Sequence, residues 1–281
     1  MRGIDERFIK DLKEGELSFF LEQVRSDRKR FTLEIRDGYI NIYYRGGNIL
    51  KITQNKRSYS FHFDERYCLY KDKNPNLELL KHLKLQSAKD NFKLMMEEMD
   101  EWFKIHPKKE REIQQELLDK LSVIDIEYAK NYENDEGEKR GMRLDMLVVD
   151  GDKLIVVENK YGQGSIGGKS GIAKHYEDMC RVLKNHELHS EIINSVLNIS
   201  DAKYQLGLIG SPITALEESK TEFLFIFVNY NRRSKAIQNA VDTMKDKYKD
   251  KDKRPAKLMF VSKNGKELVF EETMDLFEYK P

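Results

Sequence analysis

Cysteine is scarce in this chain: Cys68 and Cys180 are the only two in 281 residues, and neither stands in a CxxC or Cys/His arrangement. A disulfide scaffold and a structural zinc site are both disfavoured. No apolar run approaches the roughly 20 residues a bilayer span requires, and the opening MRGIDERFIK lacks a signal-peptide hydrophobic region. A cytoplasmic location without membrane contact is the expectation. Net charge is missing too, because 50 Lys and Arg against 49 Asp and Glu leave +1. Any binding to a polyanion must then be local rather than driven by the field of the whole molecule. The most basic stretch, KDKYKDKDKRPAK at 245–257, sets seven cations against three aspartates. It reads either as a solvated helix end and linker or as a nucleic-acid contact. The GxxxxGK[ST] pattern is absent, so the glycine-rich YGQGSIGGKSG at 161–171 reads as a surface loop rather than a nucleotide cradle.

What is present is periodicity. FTLEIRDGYINIYYRGGNILKIT, residues 31–53, alternates apolar and polar positions around Asp37-Gly38 and Gly46-Gly47, and SYSFHFDERYCLY extends this β-meander. Its Tyr39, Tyr43, Tyr44 and Arg45 are either packing groups or base-stacking groups. A helix is predicted from about Ser87 to Phe103, with Met95, Met96 and Met99 as core, and Ile105-His106-Pro107 breaks it. KEREIQQELLDKL then predicts a helix whose buried stripe is Ile113, Leu117, Leu118 and Leu121. Glu110 and Gln114 project near the middle of that stripe, while Glu112 and Glu116 point outward. Glu110 is either an exposed first-turn acid favoured by the helix dipole or part of a polar site.

SVIDIEYAK reads as a strand, IAKHYEDMCRVLKN as a helix, FLFIFVNY as a fully buried strand, and a helix from about Ser234 precedes the strand KLMFVSK. The implied class is α/β: a mixed central β-sheet flanked by helices, after an N-terminal antiparallel β-rich region. The boundary is placed at 104/105, with residues 1–104 as a recognition or oligomerisation module, which leaves a homodimer open, and 105–281 as the second domain.

The segment RLDMLVVDGDKLIVVENK, residues 143–160, reads as a hairpin whose open end carries charge at Arg143, Asp145, Glu158 and Lys160. With Asp150-Gly151 as a two-residue loop, Asp145 lies diagonal to Glu158. With Gly151-Asp152 as the loop, or a four-residue loop from Asp150 to Lys153, the two lie directly opposite. A three-residue loop would break the parity. On a shared face their carboxylates repel, and either a divalent cation or ion pairs from Arg143 to Glu158 and from Lys160 to Asp145 would relieve the conflict.

Asp145, followed after twelve residues by Glu158-Asn159-Lys160, resembles the PD-(D/E)xK phosphodiesterase superfamily over residues 108–230. The resemblance implies a restriction endonuclease-like core and a metal-dependent nuclease acting on DNA. Asp145 and Glu158 would bind Mg²⁺, with Mn²⁺ as substitute, the Asn159 carbonyl would join them, and Lys160 would serve the attacking water. Glu110 and Gln114 match an additional Glu/Gln pair on the preceding helix in some branches. Leu144 replaces the proline that usually precedes the Asp, and Lys174 and Tyr176 stand where relatives carry a Gln and a Tyr. Arg143, Lys169, Lys174 and Tyr176 are the candidate substrate contacts, Arg143 on a phosphate or paired with Glu158. A catalytically silent module that uses the same fold to bind nucleic acid or protein is the alternative.

Overall fold

Alternating apolar positions and tight turns build the N-terminal half. The computed structural model describes residues 1–281 apart from 71–72, 108, 134–138, 162–165, 168–170, 249–253, 266 and 281; for 109–110, 133 and 139–140 it describes the backbone only. Helices α1 (Glu6–Lys13) and α2 (Ser18–Ser26) precede a four-stranded antiparallel meander of β1 (Phe31–Ile35), β2 (Tyr39–Tyr44), β3 (Gly47–Gln54) and β4 (Tyr59–His62). Short helices α3 (Leu77–Lys81) and α4 (Leu85–Asp90) lead to α5 (Phe92–Ile105) and α6 (Lys109–Leu118). The helix expected from Ser87 is thus interrupted at Asn91. Met95 and Met99 are buried as expected, whereas Met96 is half-buried.

The hairpin turn joining β2 to β3 is Arg45-Gly46, with φ of 49° and 74° and Tyr44 paired to Gly47. The tyrosines here pack against neighbouring side chains. Tyr44 is buried with its hydroxyl on Asp100, Tyr43 is buried, and the Lys51 ammonium covers the Tyr39 ring at 4.0 Å. Arg45 is engaged by Asp100 at 2.8 Å.

The chain divides into two units, Met1–Asp119 with Leu197–Ile213, and Lys120–Val196 with Thr214–Pro281. The division lies past the 104/105 boundary expected from sequence. Side-chain contacts explain this: Gln115 of α6 bonds Thr32 of β1, and Glu112 pairs with Arg45 at 3.7 Å. Residues 197–213 join the same unit because buried Lys203 places its ammonium 3.0 Å from both carboxylate oxygens of buried Glu34. Arg25 and Arg28 also donate to the carbonyls of Leu206, Gly207 and Leu208.

The second unit holds a seven-stranded mixed sheet. Its strands are β5 (Val123–Glu133), β6 (Lys139–Asp150), β7 (Lys153–Tyr161), β8 (Glu222–Val228), β9 (Ala256–Asn264), β10 (Glu267–Phe270) and β11 (Met274–Asp275). Strands β5, β6 and β7 form an antiparallel meander; β8 is parallel to β7 and β9 to β8, with β10 and β11 antiparallel on β9. Helix α7 (Ile172–Lys184) and the first part of α8 (His186–Gln205) lie between β7 and β8 in sequence, and α9 (Lys235–Lys247) between β8 and β9. The run FLFIFV is buried throughout, as a strand with parallel neighbours requires. Helix α7 buries Ile172, Tyr176, Met179, Cys180 and Leu183 at helical spacing. Leu154 and Val156 of β7 pack with Met179, Leu183 and Ile192 around a gap of only about 10 Å³. The architecture is α/β, a mixed sheet with flanking helices after an antiparallel β-rich region. No helix among the described residues is long and apolar enough to cross a membrane.

Candidate active site

The hairpin turn decides which residues meet. Asp150 pairs with Lys153 and Met146 with Val157, so the loop is Gly151-Asp152 and the next pair in register would be Asp145 with Glu158. Gly151 takes φ of 62° at the first loop position, which a type II′ hairpin reserves for glycine. At Asp145 the regular ladder stops. Its carboxylate turns into the ladder instead, where Oδ2 accepts the Asn159 backbone N–H at 3.0 Å.

On β7 the period-2 alternation that packs Leu154 and Val156 on one face carries Glu158 and Lys160 onto that face. Glu158 is 2 % exposed and Lys160 9 %. The Lys160 ammonium donates to Glu158 Oε1 at 2.7 Å, and His175 Nε2, from the first turn of α7, lies 3.1 Å from the same oxygen. Lys160 Nζ and His175 Nε2 are 3.5 Å apart. With its proton on Nε2, His175 donates to Glu158; with the proton on Nδ1, it accepts from Lys160. Asn159 is 2 % exposed, its side chain lies on the face opposite to Glu158 and Lys160, and among the described residues its Oδ1 has no hydrogen-bond partner.

The remaining candidates are dispersed. Arg143 pairs with Glu127 of β5 rather than with Glu158, and Lys160 pairs with Glu158 rather than with Asp145. Glu127 follows from the β5–β6 register, since Ile126 faces Met146 and Tyr128 faces Leu144, and its φ of 52° departs from strand geometry. Lys174 is used in an i,i+4 pair with Asp178 at 2.7 Å. Tyr176 is not a surface contact: it is fully buried, its hydroxyl donates to the Arg254 carbonyl at 3.0 Å and accepts the Arg254 N–H at 3.1 Å, and burial pushes its pKa up. Lys169 and most of the glycine-rich loop lie outside the described residues. Glu110 and Gln114 belong to α6 in the other unit; Gln114 is buried, and the Glu110 side chain is outside the described set. In the basic run, Lys245 holds the Tyr279 carbonyl and Lys247 pairs with Glu177, while 249–253 are outside the described residues.

Two residues escaped the sequence reading. His175 sits between Lys174 and Tyr176, and the signal that points to it is its place in the first turn after the ExK strand. Glu127 had no signal, because a positive φ at a glutamate is not written in local sequence.

Among the described residues no group of three or more His, Cys, Asp and Glu side chains is placed to hold a metal. The oxygen donors at this end of the hairpin are two carboxylates and the Asn159 main-chain carbonyl, a type of ligand that suits Mg²⁺, which keeps several of its waters. No family model, no curated protein and no solved structure matches the chain.

Proposed function

We propose that the chain is a metal-dependent nuclease that hydrolyses DNA phosphodiester bonds. The observation that carries this reading is the buried Glu158–Lys160 pair beside an Asp145 carboxylate that touches the ExK backbone at Asn159. Chain order supports it: the Asp strand β6, the ExK strand β7, helix α7 and then the buried β8 parallel to β7. This is the order of the PD-(D/E)xK superfamily that the motif resembles.

Asp145, Glu158 and Asn159 would hold Mg²⁺. The donor chemistry fits, since two carboxylates and the main-chain carbonyl of Asn159 are the oxygen ligands that Mg²⁺ prefers. When bound, the cation supplies Lewis acidity toward the phosphate and a more acidic water. The protein supplies the rest. Lys160 orients the attacking water, whose oxygen forms the new bond to phosphorus as the bond to the leaving oxygen breaks. His175 provides a second nitrogen for Glu158 Oε1, so Glu158 stays held when the ammonium turns toward water.

A second reading, a silent module on the same fold, is favoured by the two nitrogens already placed on Glu158 Oε1 and by the lack of a three-ligand group among the described residues. Two measurements separate them. Purified protein is assayed on linear duplex, supercoiled and single-stranded DNA and on RNA, with Mg²⁺ or Mn²⁺ and with EDTA. The nuclease reading expects metal-dependent cleavage that Asp145→Asn and Lys160→Ala abolish; cleavage that persists in both rejects the site. Calorimetry with Mn²⁺ that finds no binding, alongside nucleic-acid binding indifferent to EDTA, selects the silent module.

A further inference from the structure

We propose that a hollow lined by Asn231, Arg232, Arg233 and Lys280 binds the phosphodiester backbone of nucleic acid. It rests on the nuclease reading for the identity of the polyanion. The hollow is shallow and about 610 Å³ in volume.

Local sequence builds it. Strand β8 ends at Val228, and Asn229 then takes φ of 58°, a left-handed conformation that asparagine tolerates. Its N–H donates to the Val261 carbonyl and its Oδ1 accepts the Lys263 N–H, both at 2.8 Å, which anchors the departing chain to β9. Asn231 Oδ1 accepts the Arg233 N–H at 2.8 Å and shapes the turn into α9. Tyr279, 1 % exposed, donates its hydroxyl to the Arg232 carbonyl, and its own carbonyl accepts from Lys245 at 2.7 Å. Those bonds hold Lys280 beside the two arginines.

The charge there is unbalanced. All three cations are exposed, and among the described residues the carboxylate ion-paired with them is Glu271, 3.7 Å from Arg232 and itself half in water. Among the described residues Arg233 and Lys280 have no ion pair. Hydrogen-bonding forks on arginine suit phosphate oxygens.

Position completes the case. Lys160 pairs in register with Phe227 and Tyr161 with Val228, so the hollow follows directly from the strand end that neighbours the candidate site. In open α/β sheets, ligands gather outside the carboxyl ends of parallel strands. Helix α9 starts from the hollow's own turn, so its N-terminus adds partial positive charge there.

The test is fluorescence anisotropy of a labelled DNA duplex in EDTA, titrated with salt. It compares wild type, Arg233→Glu, the triple variant Arg232→Ala/Arg233→Ala/Lys280→Ala, and Asp145→Asn. Each lost phosphate contact lowers the slope of log K against log[salt] by about 0.9. The triple variant is expected to lose about 2–3 in slope and to weaken equally on unrelated sequences, with Arg233→Glu in the same direction. Asp145→Asn serves as the cleavage control in Mg²⁺, because the lost carboxylate can itself change duplex affinity. Unchanged slope and affinity in both surface variants, or a wild type that binds no duplex, overturns the proposal. Loss of cleavage in Asp145→Asn with unchanged binding in the triple variant overturns this inference alone. Cleavage by Asp145→Asn with a reduced slope in the triple variant overturns the catalytic reading and supports the hollow.

Discussion

Replacing Lys160 by methionine keeps much of the stem but deletes the ammonium 2.7 Å from Glu158 Oε1. Glu158 is 2 % exposed, so bulk water cannot take over the lost interaction. Removing one partner of a buried ion pair costs about 3–5 kcal/mol. The lower end applies because His175 Nε2 remains 3.1 Å from the same oxygen. At roughly 2–4 °C per kcal/mol for a domain of this size, melting should fall by about 6–12 °C. Thermal unfolding followed by circular dichroism in EDTA measures it. The double variant Glu158→Gln/Lys160→Met should cost about 1–3 kcal/mol less than the sum of the single changes, because the charge and its partner leave together. Adding Mg²⁺ should raise the melting temperature of Lys160→Met more than that of wild type, since a cation then replaces the missing ammonium. A shift below about 2 °C together with an additive double variant would refute the claim that this pair is a buried charge balance.

Three further outcomes follow from the same geometry. Burial pushes the Glu222 carboxyl up, but the ammonium groups of Lys153 and Lys257 outweigh it and hold the group below its ordinary 4.5. A carboxyl depressed in the folded state stabilises above its unfolded pKa and loses that contribution as pH falls through the folded value. Glu222→Gln should therefore melt below wild type at neutral pH and converge with it in acid; a constant offset across pH contradicts this. Arg143→Ala removes a pair whose arginine is 67 % exposed, so urea melts should change by less than about 1 kcal/mol, and a larger loss would show a buried role. Tyr176→Phe strips two backbone groups of Arg254 of their partner and should cost about 1–3 kcal/mol and, on the proposed nuclease reading, leave KM for DNA unchanged. A raised KM would return Tyr176 to the substrate.

Period-2 patterning made the meander and the β6–β7 hairpin readable, because each side of a strand meets a different environment. The parity argument allowed several loops, and the Asp150–Lys153 pairing selects one of them. Tertiary packing hid the rest. The start and helical character of α6 were readable, but not its end at Leu118 nor that Gln115 and Glu112 fasten it to the first meander. Nor was the return of residues 197–213, which depends on a buried Lys203–Glu34 pair 169 positions apart. Tyr176 looked available because a tyrosine in a helix has a polar tip; Arg254, distant in sequence, consumes it. His175 was adjacent to two named candidates and was passed over because helix phase, not adjacency, sets which side chain meets β7.

In the open end of the hairpin a side chain does the work of a main chain, since Asp145 receives the Asn159 amide where a strand would ordinarily offer a carbonyl. An asparagine there keeps the receiving oxygen and discards only the negative charge. Alanine discards both, stranding a buried amide and fraying the hairpin at the very residues a biochemist wishes to interrogate. The choice between these two common replacements therefore determines whether a variant reports on a lost charge or on a loosened scaffold.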